Sequence, residues 1–214
     1  MRHLLPSYKI KSHLEPFISC NSVKSHKLPF LVFSITTKKP LELIYTDVWG
    51  PSHIKSINGF TYYLIFVDHF TKYVWLYPLR NKSDVSTLFP TFKNLVEIIS
   101  IKKLSHCSDN GGEFLKLKSF LDTHGISHLT TPSYTPELNA PSERRHIHIV
   151  ETGRALLRMA KLPPEYWSFA FKTVVYLINR KPTPILKMQS PFQAIHKKTP
   201  NVSHLHSFGC LCFP

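Results

Sequence analysis

"LELIYTDVWGPSHIKSINGFTYYLIFVDHFTKYVWLYPL" (residues 41–79) decides the fold. Three runs within it, LELIYTDV, YYLIFVDH and KYVWLYPL, are short and rich in β-branched and aromatic side chains, which suit a pleated, half-buried surface. The breakers WGP and NG separate the first two runs, and only two residues separate the last two. Three antiparallel strands in meander order are therefore expected, the last pair closed by a tight hairpin.

Downstream of this stretch the period changes. Val85, Leu88, Phe89, Phe92, Leu95, Val96 and Ile99 recur at spacings of three and four, which predicts an amphipathic helix over 82–99 with Ser83 as its N-cap. IKKLSHC (101–107) reads as a fourth strand, GEFLKLKSFLDTHG (112–125) as a short helix closed by Gly125, and ISHLT (126–130) as a fifth strand. The order is βββαβαβ, an α/β chain. Beyond a proline-rich loop at 132–141, two further helices are expected at about Ser142–Ala160 and Pro164–Asn179, with Pro163 and Pro164 at their join. Pro141 biases Ala140 toward an extended backbone, and the stripe Ile147, Val150 and Leu157 is expected to pack on the sheet.

Bulk properties narrow the partner. Lys and Arg number 27 against 13 Asp and Glu, a formal charge of +14, which favours a polyanion such as DNA or RNA. A hydrophobic content of 43% with 15 Phe and 9 Tyr excludes the composition of a disordered tail. The longest apolar run, YYLIFV at 62–67, is far below the roughly 20 residues a bilayer span needs, so no membrane partner is expected. The N-terminus lacks the pattern of a signal peptide, and the expectation is a soluble, intracellular chain. Cys20, Cys107, Cys210 and Cys212 contain no C-x-x-C pair, so they are read as free thiols. Residues 1–40 hold seven Lys or Arg, one acid and prolines at 6, 16, 29 and 40, an extended basic leader.

In a chain short of acids, three carboxylates fall where this order brings elements together. Asp47 ends the first strand, Asp109 ends the fourth before Asn110-Gly111-Gly112, and Glu143 opens a helix. Loops and element ends held by a rigid sheet are where chemistry is usually placed. Asp68, Glu113 and Glu151 satisfy the same loose logic, so position alone does not select the trio. Asp68, followed by Thr71 and Lys72, reads better as a hairpin residue, and Trp75 and Trp167 as core.

The stretches PLELIYTDVWGP, GFTYYLIFVDHFTKYVWLYPLRNKSDV, SDNGGEF, TTPSYTPELNAPSERRHIHIVETG and SPFQAIHKKTPNVSHLHSFGCLCFP, in unbroken order, resemble the integrase segment of plant copia-type LTR retrotransposon Pol polyproteins. The resemblance runs from about Lys24 to the final residue. It implies a ribonuclease H-like fold, a five-stranded mixed sheet flanked by helices with additional C-terminal helices, which agrees with the strand order above. It also implies three segments: a remnant of an N-terminal zinc-binding module at 1–36, a catalytic core at 37–200, and the truncated start of a connecting region at 201–214.

The same resemblance implies roles. A DDE-type catalytic triad falls on Asp47, Asp109 and Glu143, which would bind two Mg²⁺ or Mn²⁺ ions, trim the 3′ ends of element DNA and join them to target DNA. Oxygen-only ligands suit such hard cations, and a cation pair stabilises both the attacking and the leaving oxygen of an in-line displacement. Nucleic-acid contacts are expected from Asn110, Tyr134, Asn139, Arg144, Arg145, Arg154 and Arg158; successive helical positions diverge by about 100°, so Arg144 and Arg145 cannot both share the face of Glu143. The partners implied are DNA and further copies of the chain in a homo-oligomer, acting in the nucleus after a cytoplasmic particle stage, although no targeting signal is found. The chain departs from the family at Ala140, which stands in place of glycine, at Ile147, which stands where a basic residue is usual, and at Phe17, which leaves Cys20 without the second cysteine of a zinc site. The alternative reading is a catalytically inactive, basic nucleic-acid-binding remnant of a decayed element.

Overall fold

Alternation along the central strand sorts the molecule into two layers around one sheet. The computed structural model describes residues 36–97, 105–108, 112–130 and 140–211. The expectations for the leader and Cys20, and those for Asp109, Asn110, Tyr134 and Asn139, lie outside the described residues.

Strands β1 (Leu43–Trp49), β2 (Tyr62–Asp68) and β3 (Val74–Leu79) form the expected antiparallel meander, with Asp47 opposite Ile65 and Leu64 opposite Tyr77. Strand β4 (Ser105–Ser108) joins the other side of β1 in parallel, and β5 (Ser127–Thr130) runs parallel to β4. The order β3-β2-β1-β4-β5 is a five-stranded mixed sheet of the ribonuclease H-like kind. The β2–β3 turn is wider than two residues, spanning 69–73. Buried Asp68 holds it closed, accepting hydrogen bonds from the Leu41 N–H (2.9 Å), the Thr71 N–H (2.8 Å) and the Thr71 hydroxyl. Asp68 is thus a hairpin residue.

One face of the sheet, carrying Ile44, Leu64 and Phe66, is covered by α1 (Val85–Glu97). The rings of Phe66 and Phe92 stack at 3.6 Å between centroids, with Phe89 edge-on to Phe66. Each such buried side chain contributes about 1.5–3 kcal/mol. Helix α1 is entered through a 3-10 turn, Lys82–Asp84, whose N-cap is Asn81 and not Ser83. The Asp84 carboxylate selects that start by accepting from the Arg80 and Asn81 N–H groups, an anion at the positive end of the helix. The single helix expected over 112–125 is two, α2 (Gly112–Leu115) and α3 (Lys118–Thr123). Between them the Leu117 N–H bonds to the Phe114 carbonyl, a tighter turn that directs Phe114, Leu117 and Leu121 together into the core. Gly125 closes α3 as expected: at φ +64 its N–H meets the Asp122 carbonyl while the Ile126 N–H reaches that of Leu121.

The other face is covered by α4 (Ala140–Met159) and α5 (Trp167–Arg180). Helix α4 begins two residues earlier than expected. Ala140 is helical, not extended, because Pro141 falls in the first turn, where a missing N–H costs no hydrogen bond. The expected stripe is also corrected. Ile147 is 57% exposed, and the buried line of α4 runs through Ser142, His146, Ile149, Gly153 and Leu157. Space, not apolarity, sets this choice. A Cβ on Gly153 would lie 2.6 Å from Phe171 Cε1, so the face turned toward α5 has to be small. Asn179 of α5 clamps the start of β3, its amide donating to the Val74 carbonyl (2.7 Å) and accepting from the Val74 N–H (2.9 Å). A further short helix, α6 (Pro191–His196), is capped by Ser190, whose hydroxyl accepts from the Gln193 N–H. Among the described residues no helix is long and apolar enough to cross a membrane.

Candidate active site

Asp47 projects from the central strand β1 onto the face covered by α4. Alternation puts Tyr45, Asp47 and Trp49 on that side together with their cross-strand neighbours Tyr63 and Ile65. The Asp47 carboxylate is gripped at both oxygens. Its Oδ1 accepts from the Val48 N–H at 2.8 Å, and its Oδ2 lies 3.2 Å from His146 Nε2.

His146 is buried against the sheet, its ring 5.2 Å from that of Tyr63, and its Nδ1 is 2.9 Å from the Tyr63 hydroxyl. Burial, and secondarily the charge of Asp47, pushes the Tyr63 hydroxyl well above its ordinary range, so it remains protonated. In the tautomer that accepts from this hydroxyl at Nδ1, the imidazole N–H lies on Nε2, facing Asp47. The Nε2 approach lacks hydrogen-bond alignment, so it is a close polar contact and not a hydrogen bond. Tyr63, His146 and Asp47 thus form a chain that orients the carboxylate. Sequence reading assigned no role to His146 or Tyr63. The available signal was the position of His146, one turn after Glu143 on the same helix.

Glu143 sits in the first turn of α4 and is exposed. Three residues place it one turn from His146 and about 60° round the axis, on the flank that also carries Val150 and Arg154. Beyond Asp47 this flank borders an open cleft of about 690 Å³ walled by Trp49, Ile54, Arg154 and Trp167. The cleft exists because the chain turns sharply out of β1 at Gly50, whose φ of +127 and 2.6 Å approach to Tyr62 Cδ1 admit no side chain. Trp167 then pins the segment, its indole N–H donating to the Ile54 carbonyl at 3.0 Å.

The arginines divide between the flanks. Arg144, Arg154 and Arg158 are exposed, and Arg145 is largely withdrawn from solvent, burial lowering its pKa. Strand β4 ends at Ser108, one residue before Asp109. Among the described residues no group of three His, Cys, Asp or Glu side chains could hold a metal ion, and Asp47 and Glu143 are the members of the expected trio that are described.

Residues 37–136 match the family model described as "Integrase core domain". The chain is 53% identical over 212 residues to the retrovirus-related Pol polyprotein from transposon RE2 of Arabidopsis thaliana, an alignment covering 99% of this chain and 14% of that protein. It spans about one-seventh of the length of that relative. Among solved structures, the HTLV-2 integrase catalytic core domain in complex with magnesium aligns with a TM-score of 0.54 and 20% identity, over 74% of this chain and 98% of that one. The simian T-cell lymphotropic virus intasome in complex with PP2A regulatory subunit B56 gamma aligns with a TM-score of 0.58 and 16% identity, over 78% and 60%.

Proposed function

Since the chain belongs to the integrase core family of plant copia-type retrotransposon Pol polyproteins, we propose that it is a metal-dependent polynucleotidyl transferase core that processes the 3′ ends of element DNA and joins them to target DNA. The observation that carries the reading is Asp47: a carboxylate on the central strand at the edge of an open cleft, held by the Val48 N–H and flanked by His146, which itself lies one helical turn after Glu143. Within this reading residues 37–200 are the core and 201–214 begin a connecting region.

The donor set proposed for the metal is Asp47, Asp109 and Glu143. Its chemistry fits Mg²⁺ or Mn²⁺, since all three offer oxygen, and His146 is already engaged by Tyr63 and is a poor ligand for such ions. Two ions, when bound, would stabilise the attacking and leaving oxygens of an in-line phosphodiester displacement. The chain's own contribution is positional. The Val48 N–H and His146 Nε2 hold the Asp47 carboxylate in one orientation before anything binds, and each carboxylate oxygen keeps a further lone pair for a ligand. Arg144, Arg154 and Arg158, with a formal charge of +14 over the whole chain, draw the phosphate backbone to this side. DNA as substrate, a homo-oligomer as the working form and the nucleus as the site of action belong to this proposal.

The test is Mg²⁺- or Mn²⁺-dependent nicking and strand transfer by the purified chain on duplexes ending in element termini. Wild-type turnover that Asp47→Asn and Glu143→Gln both abolish is the expected result. Turnover undiminished in Asp47→Asn, or none from folded wild-type protein with Mn²⁺, refutes it.

A further inference from the structure

Residues 201–211 follow α6 and run back over α5 to the end of α4. Apolar burial does not hold them there. All are exposed except half-buried Phe208, and Val202 (49%), Leu205 (39%) and Leu211 (81%) face solvent. A segment with so little buried apolar surface keeps its place through discrete contacts, and it opens at low free energy when one is lost.

One attachment is on α5. The Tyr176 hydroxyl and His204 Nε2 lie 2.7 Å apart, a hydrogen bond across 28 residues of sequence, with the two rings nearly perpendicular. Tyr176 is itself held, because the Arg180 guanidinium carbon sits 3.3 Å over its ring and 4.9 Å over that of Phe192 on α6. Tyr176 is thus a fixed post. Another attachment is the turn Ser207–Cys210, closed by the Cys210 N–H on the Ser207 carbonyl at 3.1 Å. Gly209 takes the third place in this turn at φ +82, where glycine is favoured. It also lies against the end of α4: a Cβ there would come within 2.6 Å of Ala160 Cβ and 3.4 Å of Leu162 Cδ1.

That end of α4 benefits from being covered. The Ala160 N–H bonds to the Leu156 carbonyl and the Leu162 N–H to that of Leu157, each at 3.0 Å, around Lys161 at φ +53. This left-handed helix ending usually takes glycine, and a lysine adopts it at a cost. Packing from Gly209 offsets that cost only while the segment is seated.

We propose that residues 201–211 are a releasable strap, caught at Tyr176 and seated through Gly209 on the turn that ends α4, and that its seating braces the helix carrying Glu143 and His146. The proposal stands apart from the transferase reading and holds whether or not the chain turns over DNA.

The test is hydrogen–deuterium exchange of the full chain at neutral pH, read in peptides covering 201–211 and 156–163, beside thermal melting. Tyr176→Phe keeps the ring under Arg180 and removes only the hydroxyl. Exchange over 201–211 is then expected to quicken roughly three- to tenfold, the weight of one hydrogen bond, with exchange at 160–162 quickening too and the melting temperature unchanged. His204→Leu is expected to match it, and the double variant to exceed neither. Gly209→Asn, which tolerates the positive φ but adds a Cβ, is expected to release the strap, and Ala160→Gly in that background to restore part of the protection. Wild-type amides over 201–211 that exchange like an unstructured peptide overturn the proposal. So does protection that rises with protein concentration, which marks a contact between copies, or release that leaves 160–162 unchanged, which marks a segment that braces nothing. Quickening in Tyr176→Phe that extends evenly over the strands, with a lower melting temperature, overturns it as well, because the segment would then open only with the whole fold.

Discussion

The chain from Tyr63 to His146 makes a quantitative prediction through a double-mutant cycle. Tyr63→Phe removes the hydroxyl and leaves His146 Nδ1 buried with no donor, an expected cost of about 1–2 kcal/mol for a bond observed at 2.9 Å. His146→Leu strands the Tyr63 hydroxyl, releases Asp47 and misfits the packing, an expected cost of about 2–3 kcal/mol. In the double variant neither polar partner remains to be stranded. Its destabilisation is therefore expected to be about 1–2 kcal/mol less than the sum of the two single losses. Urea unfolding of all four proteins, followed by circular dichroism at neutral pH with m-values compared, measures this coupling. Additivity to within about 0.3 kcal/mol, at equal m, would show that the hydroxyl and imidazole do not act as a pair and would remove the physical basis for Asp47 orientation. If the chain of contacts orients Asp47, Tyr63→Phe, which removes only the hydroxyl bonded to His146, also weakens Mn²⁺ binding, and His146→Gln weakens it less than His146→Leu.

Two other expectations follow from packing and burial. Gly153→Ala drives a methyl into the Phe171 ring and is expected to destabilise by about 1–3 kcal/mol, with Phe171→Leu restoring part of the loss; a melting temperature equal to wild type would contradict the close approach of α4 and α5. His69, His128, His148 and His196 all have pKa values depressed below the ordinary 6.5, chiefly by burial. The folded state therefore binds fewer protons than the unfolded chain, so stability is full above about pH 6.5 and falls as the pH drops below it. A urea midpoint that declines from pH 7 to pH 5.5, with a shallower decline in His69→Gln, is expected, and a midpoint that rises over that range would refute the sign.

The sheet was legible because its signals are local. Short β-branched and aromatic runs over 43–49 and 62–68, a hairpin between two such runs, and glycine after the last turn of α3 each operate within a few residues. Element ends were read less well where a competing group a few residues away took over, as the Asp84 carboxylate did at the start of α1 and Pro141 at the start of α4. For the candidate site, Asp47 and Glu143 could be singled out by residue type and by resemblance to a family. Their surroundings could not. Of the stripe Ile147, Val150, Leu157, Leu157 is buried as expected but Ile147 faces solvent, because a periodicity argument scores apolarity while the helix is turned by the space that Gly153 leaves for Phe171.

By itself the sequence determined an α/β chain with three meandering strands, a strongly cationic character and a motif order that resembles the integrase cores of plant copia-type elements, since composition, period and motif order need no third dimension. Only the tertiary structure decided that His146 meets Tyr63 across 83 residues of sequence and that Asp47 lies beside that pair. Such pairings depend on which way a helix is rotated against a sheet, and that rotation is set by the summed fit of many side chains rather than by any one stretch of chain.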